Sequence, residues 1–238
     1  MSIQSLKSAV IGLPAIALAL GLGHPAQANL VLNGGFEVYT GLPPETGFPS
    51  VNPTGWTSGG GLTWIDAPGT ATLGPGIPVY AGFPNTSPQG GNFVEADGDP
   101  RFSQPFYQTI NGLSAGHSYT VSFYQASGQQ QGFTGATTEY WQVSLGSQTL
   151  NSPTMNTPSA GDTLWQLQSL TFVASAATEA LTFLAVGAPA LPPIAFLDGV
   201  SMTAASAVPE PASLSLFGIA VVGLGVAWRR RTRRLTSV

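Results

Sequence analysis

The chain has 238 residues, with 7 lysines and arginines against 11 aspartates and glutamates, 30 glycines, 20 prolines and no cysteine. Lys7 stands near the start and five arginines near the end, so Arg101 is the one basic residue from 29 to 208, where ten carboxylates make the net charge −9. A segment of that sign cannot neutralise phosphates, which excludes nucleic acid as a partner, and the lack of cysteine excludes disulfides, thiolate zinc sites and a cysteine nucleophile.

The chain opens MSIQSLKSAVIGLPAIALALGLGHPAQAN, in which Lys7 precedes an apolar stretch from Ala9 to Gly23 that ends in Ala26-Gln27-Ala28. A basic start, a short apolar run and a small-x-small triplet predict a secretory signal peptide over 1–28, cleaved after Ala28. From 29 to 207 the pattern changes to short runs of period two separated by Gly, Pro, Asn and Ser. NLVLNGG, GLTWIDA, GNFVEA and PFYQTI read as short strands. SYTVSFYQAS sets Tyr119, Val121 and Phe123 on one face, and YWQVSLG does the same with Trp141, Val143 and Leu145. LWQLQSLTFVAS, EALTFLAVG and AFLDGVSMTA follow, and residues 40–53 and 68–88 are rich in Pro and Gly and read as long loops. No stretch of this segment sustains a helical period, so the expected fold is all-β, a jelly-roll β-sandwich of one domain.

After it comes VPEPASLSLFGIAVVGLGVAWRRRTRR, residues 208–234. Residues 212–228 carry no charge, and at ~1.5 Å per residue they would reach about 25 Å as a helix, the short end of a bilayer span. Trp228 stands where an interfacial aromatic belongs, and the arginines of 229–234 should stay cytoplasmic, which leaves 29–208 outside. The order Pro209-Glu210-Pro211, Gly-bearing apolar helix and terminal arginine cluster resembles the PEP-CTERM sorting signal of Gram-negative bacteria that make an extracellular polysaccharide matrix. That resemblance implies an exosortase, a membrane enzyme that would cut near Pro209, Glu210 and Pro211. The two prolines suit this by holding the junction extended. The chain would be exported by the secretion machinery and held for a time in the inner membrane with its domain on the periplasmic side. It would then pass to the cell surface or matrix.

Within the domain, NLVLNGGFE with Gly55-Trp56, GGNFVEADG with FYQTINGLSAGHSYTVSFY, and AFLDGVSM resemble the opening, central and closing strands of galactose-binding-like carbohydrate-binding modules. The resemblance implies a jelly roll with a structural calcium and, in some members, sugar binding. It sets Glu37, at the end of the first strand, and Asp198, in the last, as calcium carboxylates, with Asn33 completing the site. Calcium takes six to eight hard oxygens, which strands distant in sequence can supply together. The other reading makes Glu37 and Asp198 solvated strand-end charges. Glu95, Asp97 and Asp99 in VEADGDP form a second acidic group, read as a solvated loop or a further cation site.

Catalysis has little to work with. His117 is the one histidine after the signal peptide, it stands in a turn, and no serine lies in a Gly-x-Ser-x-Gly elbow. A glycosidase needs two carboxylates about 5 to 9 Å apart, which the acidic group offers only by chance. Sugar stacking needs exposed aromatics; Trp64 and Trp141 read as core, while Trp56 and Tyr80, in turn-rich stretches, are the ligand-binding candidates, with Gln129, Gln130 and Gln131 adding amides; the resemblance, for its part, implies a position for Trp56 that is often buried. The expected function is therefore an exported, non-catalytic surface or matrix protein that binds extracellular polysaccharide, with structural calcium. The alternatives are a purely structural or adhesive coat protein, or a glycan-active enzyme.

Overall fold

The structure is a computed structural model that describes residues 28–205 apart from 45, 48, 49 and 75. The signal peptide before Ala28, the Pro209-Glu210-Pro211 junction and the helix expected over 212–228 lie outside the described residues. Among the described residues no helix is long and apolar enough to cross a membrane.

The chain forms β1 (Tyr39–Gly41), β2 (Thr46–Gly47), β3 (Val51–Pro53), β4 (Thr57–Ser58), β5 (Thr63–Asp66), β6 (Phe93–Asp97) and β7 (Phe106–Asn111). It continues with β8 (Ser118–Gln129), β9 (Thr137–Leu145), β10 (Gln148–Asn151), β11 (Met155–Thr157), β12 (Gln166–Val173), β13 (Thr178–Ala188) and β14 (Pro193–Ala204). One sheet runs β10-β9-β13-β7-β4 with β11 also on β9, the second runs β12-β8-β14-β6-β5-β2, and β1 pairs β3 as a ribbon. From β6 to β9 and again from β12 to β14, the chain crosses between sheets at each strand, the winding of a jelly-roll sandwich.

Alternation in the long strands closes the sandwich. Tyr119, Val121 and Phe123 of β8 face Trp141, Val143 and Leu145 of β9 and Leu181, Phe183 and Ala185 of β13 in one buried core. Phe106 stacks on Phe183 at 5.8 Å between centroids, and the Trp141 indole N–H donates to the Phe196 carbonyl at 3.0 Å. These strands lie where their periodicity predicts. The opening NLVLNGG is different: it forms no strand, because Asn33 and Phe36 turn the backbone to positive φ, 51° and 60°. It is held beside β14 instead, by Leu30 N–H on the Met202 carbonyl at 2.8 Å.

The loop over 68–88 also does more than connect. Ala71, Ile77, Val79 and Phe83 pack on Phe93, Ala126, Ile194 and Phe196, making a second core on the outer face of the second sheet. Phe83 stacks on Phe196 at 4.1 Å, and the Trp165 indole N–H donates to the Pro84 carbonyl at 2.9 Å. Strand β14 is thereby buried on both faces at its start, which accounts for the unbroken apolar run Ile194-Ala195-Phe196-Leu197. Among the described residues both cores are built within 30–204, so this segment has hydrophobic cores of its own.

Candidate functional site

The outer face of the first sheet differs from every surface described so far. Its register aligns Thr149 of β10, Ser144 of β9, Thr182 of β13 and Tyr107 of β7 in one row across four strands. Asn151, Gln142 and Leu184 form the next row, Tyr140 and Val186 the one beyond, and Thr138 beside Ala188 closes the face. None of these positions carries a charge. Tyr107 is 39% exposed and Tyr140 half-buried. Strand spacing and rise set them roughly 16 Å apart. Past Thr138 the face runs into a hollow of about 520 Å³ lined by Thr137, Asn156, Thr157 and Pro189 among others. Such a surface offers two phenol rings and a lattice of amides and hydroxyls that can donate and accept together.

Glu139 lies just beneath that hollow, fully buried, and accepts the Thr157 hydroxyl at 2.5 Å. Burial pushes its carboxyl up to about 7, against the opposing pull of the Thr137, Thr157 and Ser127 hydroxyls.

The calcium carboxylates named from the sequence are brought together. Asp198 is buried in β14, accepts the Ser87 hydroxyl, and takes the Gly199 N–H at 2.6 Å. Glu37 accepts the Asn92 N–H at 2.8 Å. A Cβ built on Gly35 would stand 3.9 Å from an oxygen of each carboxylate, so the two flank one glycine. Burial raises Asp198 to about 7, and the Glu37 charge adds to the rise. Two facing carboxylates, the Ser87 hydroxyl and the Gln89 amide beside a hollow of about 180 Å³ at Gly34, Gly35 and Gly199 make an oxygen-rich, negatively charged setting that suits a hard cation. No group of three or more His, Cys, Asp or Glu gathers among the described residues, so further ligands would be carbonyls, amides or water.

Asn33 is a correction. Its side-chain amide donates to the Val38 carbonyl at 2.7 Å and the Thr54 carbonyl at 3.2 Å, its side-chain oxygen accepts the Val38 N–H, and its carbonyl accepts the Trp56 indole. It is spent on shaping the Glu37 loop. Glu37 itself lies in that loop and not at a strand end.

Trp56 is a second correction. It is 3% exposed and its ring packs on Phe36, Phe106 and Phe183, so no face remains for a sugar. Tyr80 is half-buried, with its hydroxyl committed to the Phe133 carbonyl at 2.9 Å. Gln129 ties loops together, donating to the Gly135 and Leu191 carbonyls and accepting from Ala160, and Gln131 does so at Thr72 and Val79. Trp141 is fully buried as expected, and Trp64 packs half-buried against the second core.

The acidic group is not a solvated loop. Glu95, Asp97 and Asp99 are all at most 2% exposed. Asp97 accepts the Asp99 N–H at 2.8 Å, Asp99 pairs with Arg101, and Glu95 lies under the loop, taking the Ile77 N–H at 3.3 Å. Burial and then the neighbouring Asp66 hold Glu95 well above the usual carboxylate range, and burial puts Asp97 at about 6. His117 is an exposed turn residue.

Tyr107, Gln142 and Asn151 were missed in the sequence because each is the polar half of an alternating strand. Their own spacing carries that signal, but not which strands lie side by side.

Residues 207–231 match the PEP-CTERM protein-sorting motif, which marks the chain for exosortase sorting and export. No curated protein matches the chain. Among solved structures, the chain is similar to TmCBM61 in complex with beta-1,4-galactotriose, at 17% identity over 75% of this chain and 99% of that one, TM-score 0.44. It is similar to the CBM22-1 xylan-binding domain from Paenibacillus barcinonensis at 14% identity over 78% and 100%, TM-score 0.41. An adhesin domain of Lys-gingipain from Porphyromonas gingivalis follows at 16% over 74% and 99%, TM-score 0.43.

Proposed function

We propose that this chain is an exported, exosortase-processed surface or matrix protein whose domain holds a neutral polysaccharide on the outer face of its first sheet and a structural calcium at Glu37 and Asp198. The observation that carries the sugar reading is the uncharged face with Tyr107 and Tyr140 set among Thr, Gln and Asn. Pyranose rings present an apolar face and an edge of hydroxyls; tyrosines take the first, and Gln142, Asn151, Thr149 and Thr182 take the second. The site is read as binding without chemistry, since these rows carry no carboxylate, histidine or lysine to activate their hydroxyls. Glu139 stays beneath it, out of reach of a ligand.

Calcium answers a different need. Asp198 and Glu37 stand together with no cationic side chain contributing to the Asp198 shift, and a divalent ion would turn their repulsion into attraction. By joining the 33–37 loop, whose Phe36 lies in the first core, to the Ser87 loop and to β14, which packs in both cores, it would tie the opening segment to the sandwich.

Affinity electrophoresis of residues 29–205 in neutral and in uronate-containing polysaccharides tests the sugar site. Retardation by a neutral glycan, reduced about tenfold or more in Tyr107→Ala and Tyr140→Ala, is expected. If no neutral polysaccharide retards the domain with calcium present, the chain is a structural or adhesive coat component. Mass analysis of the cell-surface form checks processing, which predicts a start at Asn29 and an end near Pro209 to Pro211.

A further inference from the structure

We propose that β12 is a pairing edge for a second copy of this chain, joined antiparallel about a two-fold axis at Leu170 so that the two second sheets become one. Among the described residues the strand is the outermost of its sheet. Ala174 N–H bonds back to the His117 carbonyl, at the head of the β12–β8 ladder, whereas Val173 N–H is turned away and takes the Gln148 side-chain oxygen at 2.8 Å. The alternation of an antiparallel ladder then turns the N–H and C=O groups of Leu167, Ser169 and Thr171 outward as well.

Sheet edges are normally blunted by charge, proline or a bulge, and Gln166–Val173 has none of the three. It is uncharged within a segment that carries −9, so a copy can approach there without setting carboxylate against carboxylate.

The occupant follows from the order of the side chains. With the axis at Leu170, Leu167 of one copy meets Val173 of the other, Ser169 meets Thr171, and Leu170 meets Leu170. Leu167 and Val173 are 59% and 49% exposed, and this register covers apolar with apolar and hydroxyl with hydroxyl. A shift of the axis to Ser169 would set Leu167 against Thr171. Each Ser169–Thr171 pair exchanges both of its backbone bonds, while Val173 keeps its N–H on Gln148 and offers only its carbonyl. The contact is isologous and closes at two copies.

The absence of cysteine makes the test direct. In the full chain in native membranes, Leu170→Cys should oxidise to a covalent dimer, because facing residues of a non-hydrogen-bonded antiparallel pair stand about 4.5 Å apart, within disulfide reach. Ser169→Cys alone should link poorly, and the Ser169→Cys/Thr171→Cys pair should link well. Against loss of folding through Leu170, sedimentation of residues 29–205 provides a second reading. Dimer should grow with concentration and with salt, and Ser169→Pro should lower the association constant by about tenfold or more, since it removes one outward donor per copy and no backbone bond to β8; Ser169→Ala, which loses the same side-chain bond to Ser122 but keeps the donor, should leave the association constant within a few-fold. Wild-type protein that stays monomeric to about 1 mM, with no Leu170→Cys dimer, overturns the proposal; stronger linking by Ser169→Cys alone overturns the register.

Discussion

Glu139→Gln removes one buried titration with almost no change of shape, and its effect has a sign. The carboxyl is pushed from an ordinary 4.5 to about 7 by burial. A folded state that holds its proton more tightly than the unfolded chain is favoured at low pH; the stability is fully present below about pH 4.5 and is lost as pH rises through about 7. The 2.5-unit difference corresponds to roughly 3 kcal/mol across that window at 1.36 kcal/mol per unit. In the variant the Thr157 hydroxyl keeps an oxygen to donate to, and the new amide can donate to the neighbouring Thr137 hydroxyl oxygen. Wild type and variant should therefore have similar stability near pH 4, with the variant ahead by as much as about 3 kcal/mol near pH 8. Urea unfolding of residues 29–205 from pH 4 to 8, with chelator to keep the Asp198 site free of metal, gives the difference directly. Asp97 and Asp198 titrate in the same window but are common to both proteins, so they cancel. Parallel curves for the two proteins would refute the assignment and mean that Glu139 is solvated or paired at neutral pH.

Calcium at about a hundred times its dissociation constant should stabilise the domain by about 2.7 kcal/mol, or some 5–10 °C in Tm, and Asp198→Asn should abolish that response in calorimetry. Gly91→Ala should weaken calcium binding more than tenfold by isothermal titration: φ is +74° there, and the new Cβ would fall 1.6 Å from a Glu37 oxygen, displacing the carboxylate. Trp56→Ala should cost about 3–5 kcal/mol in urea unfolding by opening a cavity among Phe36, Phe106 and Phe183, and should leave polysaccharide retardation of the folded fraction unchanged.

The strands that pair across the sandwich were legible from period two alone, since burying one face of a strand forces the alternation that Tyr119-Val121-Phe123 and Trp141-Val143-Leu145 display. The opening segment was not, because NLVLNGG alternates as a strand would while Asn33 and Phe36 take left-handed turns fixed by contacts to Val38, Thr54 and Trp56. The same blindness touched the site. Trp56 sits in a Gly-rich stretch of open-looking composition, and only the packing of two strands and a loop around it makes it core.

The sequence by itself determined the addresses and the class of this protein: a sorting motif at 207–231, a segment of net charge −9, and an all-β domain. Those properties are local or additive, being order along a few residues, summed charge, or the period of one strand. Tertiary structure decided everything that depends on neighbours distant in the chain. Glu37 and Asp198 are 161 residues apart and meet at Gly35, Glu95 vanishes under a loop, and Tyr107 and Tyr140 share a face only because β7 and β9 both pair with β13. Strand order is set by which arrangement buries both cores at once, a condition on the whole chain that no single run of residues expresses.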